Sequence, residues 1–291
     1  MSYVIVTPVR NEAKYLPLTI RSVVSQSVQP LRWVIVDDGS TDETASIAER
    51  AALQHAWIQV IRRADRGRRI AGSGVMEAFY DGYRLIAEES WDFIVKLDGD
   101  LSFKRDYFEQ CLSVFHAQPH LGMGGGLICI EKDGVIEQEY PDPLFHVRGP
   151  TKIYRRECWR QIGGLIRSPG WDTFDQIKAN MLGWETRTFE DIRLVHHRPT
   201  GGAYGSWSNW TKNGLANYVV GYHPVFMLLK CIGRCFRKPY GITGLGLMAG
   251  FLSGYAKRIP QVNEPQVIRY LRAQQKRCLL LQRSLWNQNL A

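Results

Sequence analysis

The sequence predicts an α/β fold, a mostly parallel sheet flanked by helices, with a basic helical extension at the C-terminal end. Three observations carry that reading. Short apolar runs closed by turn residues alternate with amphipathic segments of helical period from Val4 to Asp98. Two of the runs end directly in acids, at Asp37-Asp38 and at Asp98-Gly99-Asp100. Charge is divided unevenly: from Gly221 onward eleven lysines and arginines face Glu264 alone, a net of +10, and the preceding part nets −1.

Length and composition agree. The chain has 291 residues, enough for one large α/β domain and an appendage, placed at 1–205 and 206–291. Hydrophobic residues make up 45% and charged residues 22%, the balance of an ordinary globular protein. No basic stretch followed by an apolar core opens the chain, so no secretory signal is expected. The six cysteines are scattered and lack Cys-x-x-Cys pairs, as expected of buried thiols in a reducing cytoplasm.

Taken in order, Val4-Ile5-Val6 is the first strand, Thr7 to Glu12 a turn, and Leu16, Ile20 and Val23 line one helix face. Trp33 to Val36 is the second strand. Ser40 and Glu43 have capping-box spacing and predict a helix from there to about Leu53. Trp57 to Ile61 is the third strand, followed by a loop with five arginines and a helix over about 74–90. Phe93 to Asp98 gives the fourth strand. Beyond it, Asp106 to Ala117 reads as a helix, and Gly124-Gly125-Gly126 as a flexible turn entering a strand to Ile130. Thr151 to Tyr154 is a short strand. Glu157 to Ile162 is a helix stopped by Gly163-Gly164, Asp172 to Leu182 another, and Thr186 to Val195 a last strand running into His196-His197-Arg198. The alternation argues for right-handed crossovers and a parallel sheet.

Asp98 and Asp100 fall just past a strand's carboxyl end, where open α/β sheets bind ligands. Gly99 lets the backbone bend there. Two hard oxygen donors suit Mg²⁺ or Mn²⁺ held together with substrate phosphates. The competing reading is a plain surface turn.

The motifs together resemble the family 2 glycosyltransferases. Thr7-Pro8-Val9-Arg10-Asn11-Glu12, Asp37-Asp38-Gly39-Ser40-Thr41-Asp42 and Asp98-Gly99-Asp100 fall in that order on successive strand ends. Gly163-Gly164 with Gly170-Trp171-Asp172 resembles the family's acceptor-side motif. The resemblance spans roughly the first 200 residues. It implies a GT-A, Rossmann-like fold and inverting, metal-dependent transfer from a nucleotide-diphosphate-sugar, a UDP-sugar favoured, by a hexosyltransferase-type enzyme. The acceptor is then a saccharide or polyisoprenyl-linked, in polysaccharide or glycolipid assembly. Trp171 stands where many members carry Glu.

On that resemblance Asp98, Gly99 and Asp100 meet the metal and diphosphate, Asp100 most directly. His196 or His197 supplies a further ligand, with a structural histidine as the alternative for each. Asp37 or Asp38 accepts a hydrogen bond from the base, or one of them caps a helix. Thr7, Pro8 and Glu12 line the nucleoside loop. Arg66 or Arg68 touches base or diphosphate, unless the loop is simply solvated. Inversion needs a base at the acceptor hydroxyl. Asp172 is the choice and Asp175 the runner-up; both also suit a helix N-terminus. Gly164 and Trp171 belong to the acceptor side, or Trp171 to the core.

In the basic region Phe226, Leu229, Ile232 and Phe236 recur at helical spacing beside Lys230 and Arg234. No charge occurs over 239–256, where Gly246, Gly250 and Gly254 repeat every fourth residue. That run is short for a span and reads as interfacial or re-entrant. Val267, Leu271, Cys278, Leu281 and Leu285 form a later stripe. The expected partner is an anionic membrane surface, placing a cytoplasmic protein peripherally on the inner face of the plasma membrane. The alternative packs these helices on the catalytic domain, cations outward. A sugar nucleotidyltransferase would want a glycine-rich loop after the first strand, and none is there. Nucleic-acid binding through the basic tail lacks a recognisable module, so no nucleic-acid partner is expected. A dead nucleotide-sugar sensor would not need every acid retained.

Overall fold

The computed structural model describes residues 1–65, 67, 73–140, 142–198, 206–236 and 240–287. In chain order the elements are β1 (Tyr3–Val9), α1 (Leu16–Val24), β2 (Arg32–Asp37), α2 (Thr44–Gln54), β3 (Ile58–Arg62), α3 (Ser73–Arg84), β4 (Phe93–Leu97), β5 (Leu101–Phe103), α4 (Tyr107–Ala117), β6 (Leu121–Lys132), β7 (Val135–Gln138), β8 (Thr151–Arg155), α5 (Arg156–Ile162), α6 (Trp171–Met181), β9 (Glu185–His196), α7 (Ser206–Val220), α8 (Pro224–Cys235), α9 (Ile242–Ala256) and α10 (Pro265–Leu279). They form two compact units. One is Met1–Arg167 with Leu182–Pro199; the other is Ser168–Met181 with Thr200–Ala291. The segment carrying α6, read from the sequence as part of 1–205, groups with the C-terminal helices.

The first unit is built on one sheet in the order β3-β2-β1-β4-β8-β6-β9-β5, with β7 beside β6. β3, β2, β1 and β4 are mutually parallel. β4 then meets β8 antiparallel and the rest of the sheet is mixed. Both faces of the parallel block are covered, which is why its strands are continuous apolar runs rather than alternating ones. Ile5, Trp33, Ile35 and Val95 join the cluster that holds Leu16 of α1, Ala48 of α2 and Phe108 of α4. Val6, Val34 and Val36 lie on the other face against α3, so close that a Cβ on Gly82 would come within 2.8 Å of Val6 and Val36.

Four local expectations are corrected. The capping box does not form: α2 starts at Thr44 without a side-chain cap from Ser40, because the Ser40 hydroxyl serves Asp37 and Asn11 instead. Asp42 Oδ1 accepts the Thr44 N–H at 3.0 Å in its place. α3 ends at Arg84, short of Ser90. The glycine run is interior to β6, not a turn: a Cβ on Gly124 would lie 2.3 Å from the Phe189 ring, and one on Gly126 2.5 Å from the Ile192 carbonyl. Finally, α10 stops at Leu279, so Leu281, at φ 55°, and Leu285 fall outside its stripe.

In the second unit α7 and α9 pack backbone to backbone. A Cβ on Gly250 would sit 1.9 Å from the Thr211 carbonyl, and one on Gly214 2.0 Å from that of Leu247. The fourfold glycine spacing read from the sequence is thus an intramolecular contact face. α10 is fixed by Gln275 Oε1, which accepts the His223 N–H at 2.8 Å, and by Glu264 on Lys178 of α6 at 2.7 Å. Among the described residues no helix is long and apolar enough to cross a membrane.

Candidate active site

Parallel pairing puts the carboxyl ends of β1, β2 and β4 along one edge of the sheet. The loops leaving β1 and β2 are laced together there. Asn11, at φ 54°, accepts the Thr41 N–H on Oδ1 at 2.9 Å, and its own N–H donates to Ser40 Oγ at 2.9 Å. The Glu12 N–H donates to Thr44 Oγ1 at 2.8 Å.

The two acids after β2 have different work. Asp37 Oδ1 accepts from the Ser40 hydroxyl and, at 3.2 Å, from its N–H, so this carboxylate holds the turn. Asp38 Oδ1 accepts from Arg63 Nη1 at 2.6 Å, and its carbonyl from Arg10 Nη1 at 2.5 Å. Arg63 is anchored in turn by Asp81 at 2.8 Å, and Arg10 by Asp65 at 2.7 Å.

At the end of β4, Asp98 pairs with the Lys96 ammonium, which is buried and also donates to the Gly149 carbonyl at 2.8 Å. Gly99 is needed for a reason other than bending. It is not among the residues of positive φ, and a Cβ there would lie 2.6 Å from Val9 Cγ1. The missing side chain lets the β4 and β1 loop ends close on each other.

Asp100 is the focus. Its Oδ2 accepts from Arg198 Nη2 at 3.1 Å, and the same nitrogen is tightly paired with Glu12 Oε1. Its Oδ1 lies 3.4 Å from His196 Nε2, is buried, and has no hydrogen bond among the described residues. His196 Nδ1 is 3.1 Å from Glu139 Oε2, and Glu139 takes Arg148 Nη1 at 2.6 Å. Burial raises the Asp100 carboxyl, but His196 and Arg198 overcome it and hold it below the usual carboxylate range. Burial pulls His196 down, yet Asp100 and Glu139 outweigh it and push the imidazole up to about 9.

Of the two adjacent histidines, only His196 brings its ring to the Asp100 carboxylate; His197 meets Asp100 through its backbone N–H, 2.9 Å from the Asp100 carbonyl. Successive strand residues point to opposite sides. His197 Nε2 is 2.8 Å from Ser102 Oγ, and its ring stacks on Tyr15 at 6.0 Å.

This arrangement fits a divalent cation. An orphaned carboxylate oxygen and an imidazole nitrogen face each other, and the far side of that imidazole rests on a carboxylate, which is how metal-ligating histidines are usually oriented. Among the described residues no group of three or more His, Cys, Asp or Glu forms a full cage. Asp100 and His196 would therefore hold the ion with water and donor phosphates, as suits Mg²⁺ or Mn²⁺. Asp98 Oδ1 is engaged by Lys96, and His197 Nε2 by Ser102.

Comparison with known proteins agrees with the geometry. The sequence profile "Glycosyl transferase family 2" matches residues 4–171. The chain belongs to glycosyl transferase family 2. The chain is 27% identical over 112 residues to the undecaprenyl-phosphate mannosyltransferase of Micrococcus luteus, across 38% of this chain and 43% of that one. Its fold is that of the mannosyltransferase PcManGT from Pyrobaculum calidifontis, solved with GDP-Man and Mn²⁺, at TM-score 0.55 and 21% identity over 95% of this chain and 75% of that one. Residues 1–349 of S. aureus TarS, solved with UDP-GlcNAc, match at TM-score 0.54 and 18% identity over 93% and 80%. The matched stretches span from 21% to 58% of the lengths of the curated relatives.

Several expected glycosyltransferase site residues are placed differently. Thr7 and Pro8 lie within β1, not on a loop. The Thr7 side chain is fully buried and accepts Trp33 Nε1–H at 2.8 Å, which leaves the backbone as its means of contact with a nucleoside. Gly164, at φ 76°, follows the Gly163 cap of α5, and a Cβ on it would meet Tyr80 Oη at 2.6 Å. Arg66 and Arg68 lie outside the described residues. In the second unit Trp171 opens α6 and is only 8% exposed, as the core alternative requires. Asp172 is in the first turn of α6 and more accessible than Asp175, which is buried and accepts the Gln176 N–H at 2.7 Å. Sequence reasoning missed Glu139, Lys96, Arg10 and Arg63. Lys96 is the one with a local signal, a lysine inside an otherwise apolar strand two residues before an acid.

Proposed function

We propose that this glycosyltransferase moves a sugar, with inversion, from a nucleotide-diphosphate-sugar to a saccharide or polyisoprenyl-linked acceptor, using Mg²⁺ or Mn²⁺. A UDP-sugar is the favoured donor. The observation that carries this is the Glu139–His196–Asp100 alignment beside Arg198. Bound there, the cation supplies a Lewis acid against the charge gathering on the departing diphosphate. Arg198 lies next to it with a planar fork suited to phosphate oxygens. Asp38, fixed by Arg63, accepts the imide N–H of the base. Asp172 takes the proton of the acceptor hydroxyl as its oxygen attacks the anomeric carbon. The bond from that carbon to the diphosphate oxygen breaks on the opposite face, and its electron pair leaves with the diphosphate. Asp175, buried and bonded within α6, is the weaker candidate.

The relatives support the donor and acceptor classes. The neighbours were solved with GDP-Man and UDP-GlcNAc, and one relative is named for undecaprenyl phosphate. A lipid-linked acceptor places the reaction at an anionic membrane surface, where a net charge of +10 beyond Gly221 favours peripheral attachment.

The test is nucleoside-diphosphate release from a panel of nucleotide-sugars with Mn²⁺, wild type against Asp100→Asn. Release that needs Mn²⁺ and drops by at least ~10²-fold in the variant is expected. Equal turnover by the two proteins would refute the assignment.

A further inference from the structure

The second unit has more apolar surface than its own packing uses. On α8, Val225, Leu228, Leu229 and Ile232 are exposed, and Phe236 just beyond the helix is 77% exposed. Spacings of three and four put all five on one side. The opposite side, with Phe226, Met227 and Cys231, is buried. α9 repeats the pattern. Its Gly246, Leu247, Gly250 and Gly254 face inward, whereas Ile242, Leu245 and Leu252 are exposed, Leu245 by 60%. The two helices meet where Gly244 lies against Cys231 and Cys235. A helix on a globular protein normally turns its polar side to water. Here the side facing water is the apolar one, on two consecutive helices.

Beyond Gly221 the charge is of one sign but for a single acid. Lys257 and Arg258 follow α9 directly and are exposed, as are Arg269, Lys276 and Arg277 on α10. The one acid beyond Gly221, Glu264, is already neutralised by Lys178 at 2.7 Å.

We propose that the outward faces of α8 and α9 seat this protein on an anionic lipid bilayer, with Leu228, Leu229, Ile232, Phe236, Leu245 and Leu252 entering the acyl boundary and Lys257 and Arg258 meeting the headgroups. This rests on the membrane reading above and specifies the surface that performs it. Apolar side chains at the boundary and cations at the headgroups are the two parts of interfacial binding. A second copy of the chain suits the face poorly. A twofold contact sets the same patch against itself, so it would also bring two strongly basic regions together. A bilayer with acidic headgroups takes the apolar side chains and neutralises the cations.

The experiment is flotation of the full chain with vesicles of phosphatidylcholine alone or with about 30% phosphatidylglycerol, a fraction that gives a strongly anionic surface. The vesicles carry neither donor nor acceptor, so the result is independent of whether sugar transfer has been assigned correctly. Wild type is expected to float with the anionic vesicles and to be released by high salt. Leu229→Ser with Leu245→Ser should weaken binding about tenfold or more, since each side chain forgoes its transfer out of water. Both positions are exposed, so the fold is retained, and circular dichroism checks that. In otherwise wild-type protein, Phe236→Trp should shift the emission to the blue on anionic vesicles. The proposal is overturned by failure of wild type to float, by unchanged binding of the double serine variant, by an emission of the Phe236→Trp variant that does not move, or by a dimer in light scattering that the serine variant disperses.

Discussion

Arg198 Nη2 lies 3.1 Å from Asp100 Oδ2 and at the same time holds Glu12, joining the ends of β1, β4 and β9 through one guanidinium. Both carboxylates are almost fully buried. Arg198→Ala would leave two buried acids short of a cation. The expected cost is roughly 3 kcal/mol, the scale of breaking a buried ion pair from one side. Urea denaturation measures it, and an unshifted midpoint would show that the cluster does not stabilise the fold. Arg198→Lys should recover part of the stability but not turnover, because an ammonium cannot reproduce the fork.

Glu139 acts through His196. Glu139→Gln is expected to weaken Mn²⁺ binding by about 10–100-fold, the usual effect of losing a carboxylate behind a ligating imidazole. Titration calorimetry with Mn²⁺ alone reads this without any donor. His197→Ala, which removes a ring bonded to Ser102, should leave the affinity nearly unchanged. The reverse order of effects would exchange the roles of the two histidines.

Thr7→Val keeps the shape of the side chain and deletes the acceptor of Trp33 Nε1–H. A buried donor left unmatched costs about 1–3 kcal/mol. Stability should fall by that amount while the KM for the donor stays where it was. A raised KM with an unchanged melting temperature would return Thr7 to the binding loop.

Two glycines in the second unit should respond in opposite directions. Gly250→Ala drives a methyl into the Thr211 carbonyl and is expected to cost about 3 kcal/mol, the upper range for overpacking. Gly233→Ala, in the last turn of α8 with nothing within 4 Å of its added Cβ, should stabilise by about 0.5 kcal/mol through helix propensity. Thermal melts of the two variants decide it.

Asp172→Asn should lower kcat for transfer while leaving donor affinity intact, since a base acts only at the acceptor. Asp175→Asn alters a buried group and should show first in the melting temperature. A larger kcat loss for Asp175→Asn at unchanged stability would reverse the assignment.

The parallel half of the sheet was readable because each strand is a continuous apolar run ending in a turn. The Asp98-Gly99-Asp100 site was readable for the same reason, since it lies directly on a strand end. Partners distant along the chain were not. Nothing near Glu139 or Arg198 says that the first will sit behind His196 or that the second will reach Glu12; the first follows from β6 lying parallel beside β9 with the Glu139 N–H returned to the Ile128 carbonyl, the second from β9 returning antiparallel to β5. The capping box failed because the spacing of Ser40 and Glu43 cannot show that the serine hydroxyl is already committed to Asp37. The β6 glycines were misread because a glycine that makes room for Phe189 looks, in sequence, like one that frees a turn.

The glycines of α9 have a consequence for how the chain is born. Gly244, Gly246, Gly250 and Gly254 lie within fifteen residues, and each weakens helix formation by about 1 kcal/mol relative to alanine. A segment this short and this rich in glycine does not hold a helix unaided. It becomes helical as it meets α7, and all of α8 must be made between the two. The Gly214 side of α7 therefore cannot take its native cover until Ala256 has been made, about forty residues after the glycine itself.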